Sequence, residues 1–404
     1  MLKKLTVISF LSLATLPLFQ EHHNSWLIIT CLILTSINLV KNKKKLNLSP
    51  TFFLMISPFL FVFFIQLLDT TFSLKFALLQ LPFVAFPFIF ANRPDFINQK
   101  VKEKSFLIFQ VSVMIQCLLL LIVFLNSNSP GRLFEVSHEN IPFFREFIFE
   151  YGLVKIHPTY FSAFLLVSFT ISLKKMNTSR IFHVLNFIWC VFFLILFSSR
   201  IVILILFATI ASFIFFQFFR RERSIKMKLG LFLVTIIMIV SFFKSNTVYE
   251  RFEEIKTEIS KPIVGSYYNT TNTRITIWKC DWQLIKKAPF FGFGNDLQNQ
   301  LNQCYESTTK SNFYLKNTYN THNYYIHLVL YGGWLLLFVF LIYLVFTFLK
   351  IKYSIFAIIL FVQILLINLT ENFLWRHYGL VLFTYFSALF VYIDEKPVSG
   401  SKRI

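Results

Sequence analysis

Residues 272–294 read NTRITIWKCDWQLIKKAPFFGFG and lie inside a polar interval, residues 244–323, of a chain that is otherwise a series of short apolar runs. Apolar side chains recur in this segment at helical spacing: Ile275, Trp278, Trp282 and Ile285. The spacing predicts an amphipathic helix that lies along a membrane surface, where tryptophan is favoured. A polar interval of this length within a membrane chain suggests that it covers an active site.

The composition is that of a polytopic membrane protein. Of 404 residues, 56% are hydrophobic, 14% are charged and 55 are phenylalanine, which is outside the usual range of soluble domains. The net charge of +20 comes largely from lysines and arginines in the short connections between apolar runs. Membrane topology therefore explains the basic residues better than nucleic-acid binding does, and no nucleic-acid partner is expected.

Apolar runs long enough for membrane helices predict an all-α, polytopic transmembrane bundle of about twelve spans in the lipid bilayer. The predicted spans are 5–20, 26–40, 51–68, 74–91, 105–125, 157–173, 181–198, 201–219, 229–243, 324–348, 354–369 and 378–393. We expect one integral membrane domain, residues 1–404, which contains the long outward loop 244–323 and its interfacial helices. The first run follows Lys3 and Lys4 like a signal peptide but lacks a small-residue cleavage site, so we interpret it as an uncleaved span.

Basic residues also predict the orientation. They collect in alternate connections, around residues 41–45, 93–104, 174–180, 220–228 and 350–352. The short connections at 21–25 and 69–73 carry none. Because basic loops stay in the cytoplasm, both termini are expected there, and the loops 126–156 and 244–323 are expected outside.

Two basic residues depart from this bias. Arg200 and Arg376 fall in short outer connections, at points where a span meets the outer interface. Snorkelling toward lipid headgroups is one interpretation, particularly for Arg376. Arg200 lies within an apolar hairpin and has no partner nearby in the sequence, so a functional role is the stronger interpretation for it.

The long loop supplies two further candidates. Arg274 falls in the first turn of the predicted amphipathic helix, where a cation at the positive end of the helix dipole favours binding of an anion, although an ordinary surface arginine remains the alternative. His322 comes just before the next span and is a candidate general base near pH 7. A structural role for His322 stays open, and residue chemistry does not separate it from His327.

Other features of the loop carry weaker predictions. Residues 249–261 alternate in charge around Phe252, Ile255 and Ile259, which predicts a helix on the membrane surface without a chemical role. Cys280 and Cys304 would form a disulfide if the loop faces an oxidising compartment and their Cα atoms approach closely enough. The sequence leaves that pairing open.

Several enzyme classes lack support. The five aspartates are nowhere two residues apart, so there is no Asp-x-Asp pair, and neither a Walker loop nor a His-Glu-x-x-His motif is present. No metal and no cofactor are therefore expected. Outward-facing arginines suit a diphosphate, because a guanidinium makes bidentate contacts and stays charged. Lipid-diphosphate chemistry on the outer face follows as a hypothesis.

The second half of the chain resembles the superfamily of O-antigen ligases and polymerases, which are bacterial inner-membrane glycan transferases. Four stretches match its motifs in order: Ser199-Arg200; Arg274 to Trp278 followed by Pro289 and Gly292-Phe293-Gly294; His322-Asn323 with Gly332-Gly333; and Asn368 to Asn372, which includes Glu371. Each motif is weak alone, and the ordered set around one long outer loop is fairly specific.

The resemblance implies transfer of a glycan from an undecaprenyl-diphosphate carrier to a glycan or lipid A core acceptor, without a metal, at the outer face of the inner membrane. Arg200 and Arg274 would hold the diphosphate, and His322 would deprotonate the acceptor or orient it. Further candidate substrate contacts are Asn323, Glu371, Arg376, His157 and Tyr160. His157-Pro158 would equally suit a proline-initiated helix start.

Two alternatives to a ligase remain. A polymerase would use the same donor with a carrier-linked acceptor, and the sequence does not decide between the two. A polysaccharide flippase or transporter is of a different class and predicts broken or polar helices near the membrane midplane. Here the polar residues concentrate at the outer surface, which favours the enzyme.

Overall fold

The computed structural model describes residues 1–69, 72–136, 141–151, 156–176, 180–219, 246–259, 270–309 and 313–393, with residues 236, 240 and 244 between them. This part of the chain is almost entirely helical and contains no β-strand, only an isolated bridge between Val136 and Pro142. The predicted all-α class is confirmed for these residues.

Seventeen α-helices are described. They are α1 Leu2–Ser12, α2 Glu21–Lys41, α3 Pro50–Leu68, α4 Leu74–Leu79, α5 Pro82–Ala91, α6 Gln99–Ser127, α7 Phe143–Tyr151, α8 Pro158–Lys175, α9 Arg180–Phe197, α10 Arg200–Phe219, α11 Asn246–Ile259, α12 Thr270–Ile285, α13 Leu297–Thr309, α14 Phe313–Asn317, α15 Tyr324–Ile351, α16 Ile355–Ile367 and α17 His377–Ile393. Short 3₁₀ helices cover Leu13–Leu18, Pro130–Phe134, Gly294–Asp296 and Phe373–Trp375.

Helices occupy the predicted spans wherever these are described. Four are long and apolar enough to cross a membrane, namely α2, α3, α6 and α15, and five shorter apolar helices accompany them. The fourth predicted span is divided into α4 and α5, because Pro82 lacks an N–H and begins a new helix. The ninth predicted span, 229–243, lies almost wholly outside the described residues. The chain is a membrane protein, and the count of twelve spans stays a prediction.

The described residues group into two compact units. The first contains residues 1–112 and 273–393, and aromatic side chains fill its core. Phe86 and Phe90 pack edge-on against Tyr385, with ring centroids 5.7 and 5.9 Å apart. Phe106 and Phe386 stack at 6.2 Å. The abundant phenylalanines thus pair in the geometries that their ring quadrupoles favour. The predicted single domain is not tested by this grouping.

A kink in α15 belongs to the same unit. Gly332 and Gly333 leave helical geometry, and Gly333 has a φ of +71°. The loop Gly292–Gly294 docks there, since Phe293 N donates to Leu330 O at 2.7 Å. A side chain at Gly333 would overlap the carbonyl of Phe290. The glycines in the two loop motifs therefore permit a close approach of backbones.

The second unit contains the described parts of residues 113–259 and residues 270–272. Helices α8 and α9 form its centre, and α8 is buried along most of its length. The amide of Asn186 on α9 donates to Ser172 Oγ at 2.7 Å and to Ser168 Oγ at 3.0 Å, both on α8. Such hydrogen bonds stabilise helix pairs in lipid, where apolar contact alone gives little preference.

Candidate active site

Two turns of the first unit are joined by hydrogen bonds, one before α15 and one after α16. The backbone N–H of Tyr324 donates to the carbonyl of Asn368 at 2.9 Å. The side-chain amide of Asn372 donates to Thr321 Oγ1 at 2.9 Å, and both side chains are buried. Glu371 lies between these two connections and is thereby held against the start of α15.

Asn323 has a structural role at this junction. Its side-chain oxygen accepts a hydrogen bond from Ile326 N at 3.0 Å and so caps α15. Its side-chain nitrogen donates to Leu369 O at 3.0 Å. Asn323 therefore fixes where the helix begins and also binds the second turn. Its predicted contact with substrate is not tested by this geometry.

His322 precedes the cap in an unusual backbone conformation. Its φ is +45°, in the left-handed region that few residues other than glycine adopt. The backbone N–H of His322 donates to Asn320 Oδ1 at 2.9 Å, which helps to hold the turn. The imidazole Nδ1 lies 3.4 Å from Glu371 Oε2, and the side chain is 24% exposed. The turn thus directs the histidine toward a carboxylate while leaving part of the ring accessible.

Arg274 contacts the other oxygen of the same carboxylate. Its Nη2 lies 2.7 Å from Glu371 Oε1. Glu371 is 4% exposed and Arg274 is 26% exposed. A carboxylate at such depth requires compensation, and Arg274 supplies it. We call Arg274, His322 and Glu371 the Glu371 cluster.

The anion that Arg274 meets in this structure is therefore Glu371. Among the described residues, Arg274 Nε is buried and has no hydrogen-bond partner. One part of the guanidinium fork is thus occupied by the glutamate, and another part has unused hydrogen-bonding capacity. Glu371 joins the arginine and the histidine, and its predicted contact with substrate stays a prediction.

The sequence predicted Arg274 in the first turn of helix α12. The helix begins at Thr270, so Arg274 comes after that turn. Its buried face includes Ile277 and Leu284, whereas Trp278 and Trp282 are 38% and 62% exposed. The two tryptophans of the predicted apolar stripe are thus exposed, whereas Ile275 and Ile285 are half-buried, and the interfacial position of the helix stays a prediction.

A disulfide ties α12 to α13. Cys280 and Cys304 are bonded, with their Cα atoms 5.7 Å apart, which resolves the pairing that the sequence left open. Asp281, beside Cys280, is fully buried, and neither of its carboxylate oxygens has a hydrogen-bond partner within the described ranges. Burial raises the pKa of Asp281 well above its ordinary value, because desolvation disfavours the charged form.

Arg200 belongs to the second unit and has partners there. Its Nη1 donates to Thr271 Oγ1 at 2.8 Å, and its Nη2 forms an ion pair with Glu254. Arg200 is 13% exposed and Glu254 is 3% exposed. We call these three residues the Glu254 cluster. Arg200 has no partner nearby in the sequence, and the structure supplies one that is distant in the chain, Glu254.

Helix α11, which provides Glu254, was expected to lie on a surface without a chemical role. Its buried positions include two acids, Glu254 at 3% and Glu258 at 5% exposure, while the predicted apolar residue Ile259 is 62% exposed. The orientation is therefore different from the predicted one. Pairing with Arg200 explains why the helix buries Glu254.

Arg145 is a residue whose importance the sequence did not reveal. Its Nη1 donates to Phe197 O at 2.9 Å and its Nη2 to Thr159 Oγ1 at 3.2 Å. Phe197 ends α9, and the next residue, Ser198, has a φ of +44°. Arg145 thus supports the turn that leads to Arg200. The only sequence signal was its place in a charged outer loop.

The remaining predicted residues have separate environments. His157 caps α8 through Nδ1, which accepts from Thr159 N at 3.3 Å, and its ring lies 5.1 Å from that of Tyr160. The proline-initiated helix start is thus observed. Arg376 is exposed and comes directly before α17. His327 is buried on α15, with its ring 4.3 Å from Trp375, and is distinguished from His322 by that packing.

Comparison with known families identifies one match. The model of the O-antigen ligase family matches residues 185–341. The range includes Arg200, Arg274 and His322, and it ends before Glu371. A comparison with curated proteins finds no match to this chain. The resemblance to the superfamily of O-antigen ligases and polymerases that was predicted from the sequence is therefore confirmed, over residues 185–341.

Proposed function

We propose that this protein transfers a glycan from an undecaprenyl-diphosphate-linked donor to an acceptor on the outer face of the bacterial inner membrane, as an O-antigen ligase. The family match supports glycan transfer. The observation that carries the proposal is the Glu371 cluster, in which one buried carboxylate contacts both an arginine and a partly exposed histidine. A base and an anion-binding group are thereby brought together.

In the proposed reaction, His322 is the general base. Its Nδ1 faces Glu371, so Nε2 is the nitrogen assigned to the substrate. The acceptor hydroxyl oxygen attacks the anomeric carbon of the donor, and its proton passes to Nε2. The bond from the anomeric carbon to the diphosphate oxygen breaks, and the electron pair leaves with the diphosphate. Glu371 stabilises the imidazolium that forms, as a carboxylate does in other oriented histidine bases.

Arg274 is assigned to the leaving group. Negative charge grows on the diphosphate as the bond breaks, and a fixed guanidinium stabilises that charge without reorganising. The N–H groups not engaged by Glu371 are the proposed donors. Glu371 thus stabilises the positive charge that forms on His322, and Arg274 stabilises the negative charge that forms on the diphosphate. The reaction is proposed to proceed without a metal.

Arg200 is proposed as a second residue on which transfer depends. It is 13% exposed, and its charge is permanent. Asn323, His157, Tyr160 and Arg376 remain predicted substrate contacts. Transfer assays on variants of each residue test these assignments.

The proposed topology has both termini in the cytoplasm and residues 244–323 in the periplasm. The bond between Cys280 and Cys304 supports this side for the loop, because disulfides persist in oxidising compartments. The donor, once exported, would meet the Glu371 cluster on that side.

Reconstitution tests the proposal. The purified protein in liposomes would receive an undecaprenyl-diphosphate-linked glycan together with either a lipid A core or a second carrier-linked glycan. Glycan attached to the lipid A core is the expected result. Elongation on the carrier alone would make the protein a polymerase. Movement of the intact donor across the bilayer without transfer would overturn the proposal in favour of a transporter.

A further inference from the structure

A polar pocket in the first unit lies at the other end of that unit from the Glu371 cluster. It has a volume of about 490 Å³, and Ile393, the last residue of α17, lines it. Helix α17 begins six residues after Glu371 and has 17 residues, which at the helical rise span about 25 Å. The pocket is therefore a separate site, and the proposed transfer reaction does not use it.

The wall of the pocket carries a net positive charge. Its charged side chains are three cations, Lys44, Lys45 and Arg93, and one acid, Asp95, so the charges of the wall sum to two positive. The acid is engaged by one of the lysines, since Lys44 Nζ lies 2.7 Å from Asp95 Oδ2. Neither Lys45 nor Arg93 has an acidic side chain within ion-pair distance among the described residues. Two cations of the wall thus lack an ion-pair partner.

Arg93 is half-buried, and backbone carbonyls hold its side chain in place. Its Nε donates to Ile97 O at 3.2 Å, and its Nη1 donates to Phe90 O at 3.0 Å. The third nitrogen, Nη2, has no hydrogen-bond partner in the described part of the chain. A half-buried cation without an opposite charge is costly. Because two of its nitrogens are already fixed, the guanidinium is pre-organised to bind an anion through the third.

The helix ends at the pocket favour an anion as well. Helix α6 begins there, and Asn98 and Gln99 belong to the wall. The start of a helix attracts negative charge, because its first N–H groups are unpaired and the helix dipole is positive there. The last carbonyl of α5, in contrast, is occupied, since Asn47 Nδ2 donates to Ala91 O at 3.2 Å. The positive end of α6 thus adds to the charge of the wall, and the negative end of α5 is covered.

We propose that this pocket binds the phosphate group of an anionic ligand, with Arg93 and Lys45 as the principal donors. A guanidinium suits phosphate because its planar fork matches the spacing of phosphate oxygens. The phosphate belongs either to the headgroup of an anionic lipid or to a free phosphate ion. Basic pockets between membrane helices bind lipid headgroups in other proteins, and Leu39 and Ile393 give this pocket an apolar side. The inference does not depend on the proposed function.

Ligand-dependent stability tests the assignment. The melting temperature of the full-length protein in detergent would be measured with phosphatidylglycerol against phosphatidylcholine of the same chains. It would also be measured with sodium phosphate against sodium chloride at equal ionic strength. A ligand that binds the folded state raises the melting temperature as its concentration rises. A selective rise with phosphatidylglycerol identifies a lipid headgroup, and a selective rise with phosphate identifies the free ion.

Substitutions in the wall locate the binding site. Arg93→Gln should weaken the apparent affinity about tenfold, the loss expected for one charge-assisted hydrogen bond. Lys45→Gln should weaken it by up to about fivefold. Lys45 has no hydrogen bond or ion pair to lose among the described residues, so this variant decides the question if Arg93→Gln does not fold. Lys104→Gln is the matched control, because Lys104 is exposed on α6 and is not part of the wall.

Two outcomes would overturn the assignment. One is the absence of any selective rise in melting temperature, including an equal rise with phosphatidylcholine and phosphatidylglycerol. The other is a selective rise of the same size in the original protein, in Lys45→Gln and in Arg93→Gln, which would place the anion on other basic segments of the chain. A smaller rise in the two wall variants, with an unchanged rise in Lys104→Gln, is the expected result.

Discussion

The Glu371 cluster and the Glu254 cluster both pair an arginine with a buried glutamate, yet their surroundings differ. Glu371 and Glu254 are 4% and 3% exposed. Arg274 is 26% exposed, and a histidine lies at the second oxygen of its glutamate. Arg200 is 13% exposed, and its side-chain partners include Glu254 and Thr271. The first arrangement includes an accessible base, whereas the second is a more enclosed ion pair.

An arginine that is paired with a buried glutamate can therefore have either a structural role or a chemical role in the same protein. The sequence signals of the two arginines were different: Arg200 departs from the charge bias of the short outer connections, and Arg274 was placed in the first turn of a predicted helix. The difference in role comes from what each glutamate contacts besides the arginine. Chemistry is therefore better supported for Arg274, and a combined structural and functional role is better supported for Arg200.

The largest expected effect on transfer comes from replacing His322, the histidine that distinguishes the two clusters. His322→Ala removes the proposed base, so transfer should fall about 10²–10⁴-fold. Initial rates with purified protein and a lipid-linked donor measure the change. The control is His327→Phe, which keeps an aromatic ring against Trp375 and should retain near-normal transfer. Full transfer activity in His322→Ala would show that His322 is not the general base and that it does not distinguish the two clusters in function.

A second test concerns the enclosed pair. Arg200→Ala leaves Glu254 without its guanidinium partner, and loss of one member of a buried pair costs about 3–5 kcal/mol of unfolding free energy. Denaturant unfolding in detergent measures this loss. Arg200→Leu combined with Glu254→Leu removes both charges and should recover much of the stability.

The double variant also sharpens the assignment of Arg200. If it folds and remains inactive, transfer depends on the guanidinium itself. If it folds and regains transfer, Arg200 is structural, and its predicted catalytic role is wrong.

Arg274→Ala should lower transfer about 10²–10³-fold, the usual effect of removing one group that stabilises developing charge. Arg274→Lys should restore only part of the rate, because an ammonium keeps the charge and loses the fork geometry. The comparison of the two rates, at saturating donor, separates charge from geometry. Equal rates for lysine and arginine would show that bidentate contact is unimportant.

The disulfide supports the helix that presents Arg274. Replacing both cysteines by Cys280→Ser and Cys304→Ser should lower the unfolding free energy by about 2–4 kcal/mol. Thermal unfolding with and without a reductant measures the effect, and the reductant should then leave the double variant unchanged. The buried thiol of Cys31, mutated to Ala, serves as a control that should not alter the response to reductant.

The smallest effect concerns Asp281 on the same helix. Burial raises its pKa in the folded state, so the folded protein holds a proton that the unfolded chain has lost. Stability therefore falls as the pH rises from about 4, the value for an unfolded aspartate, toward the folded pKa, by up to about 1.4 kcal/mol per pH unit. Above the folded pKa the contribution is constant.

Asp281→Asn should abolish this contribution and stabilise the protein at neutral pH. The difference in melting temperature between the variant and the original protein, followed from pH 4 to 8, measures it. Asp296→Asn, at an exposed position, provides the control substitution of the same chemistry. An identical pH dependence with and without Asp281 would contradict the assignment.

Much of the fold followed from local properties of the chain. Apolar runs of sufficient length must form helices in lipid, because the backbone has no other hydrogen-bond partners there. The spacing of apolar residues from Ile275 to Ile285, likewise, correctly predicted a helix there, and the observed α12 includes these residues. The orientation of α11 was missed, because amphipathic spacing does not reveal that an acidic side chain will be buried against a distant arginine.

The sequence by itself determined the helical membrane class, the resemblance over the matched residues and the identity of the candidate arginines and histidine. Only the tertiary structure decided that Glu371 contacts both Arg274 and His322, that Glu254 pairs with Arg200 and that Cys280 bonds to Cys304. Helix formation depends on neighbouring residues, and its signals lie within a short window. Charge pairing depends on distance in space, and residues far apart in the chain become partners only when the helices pack.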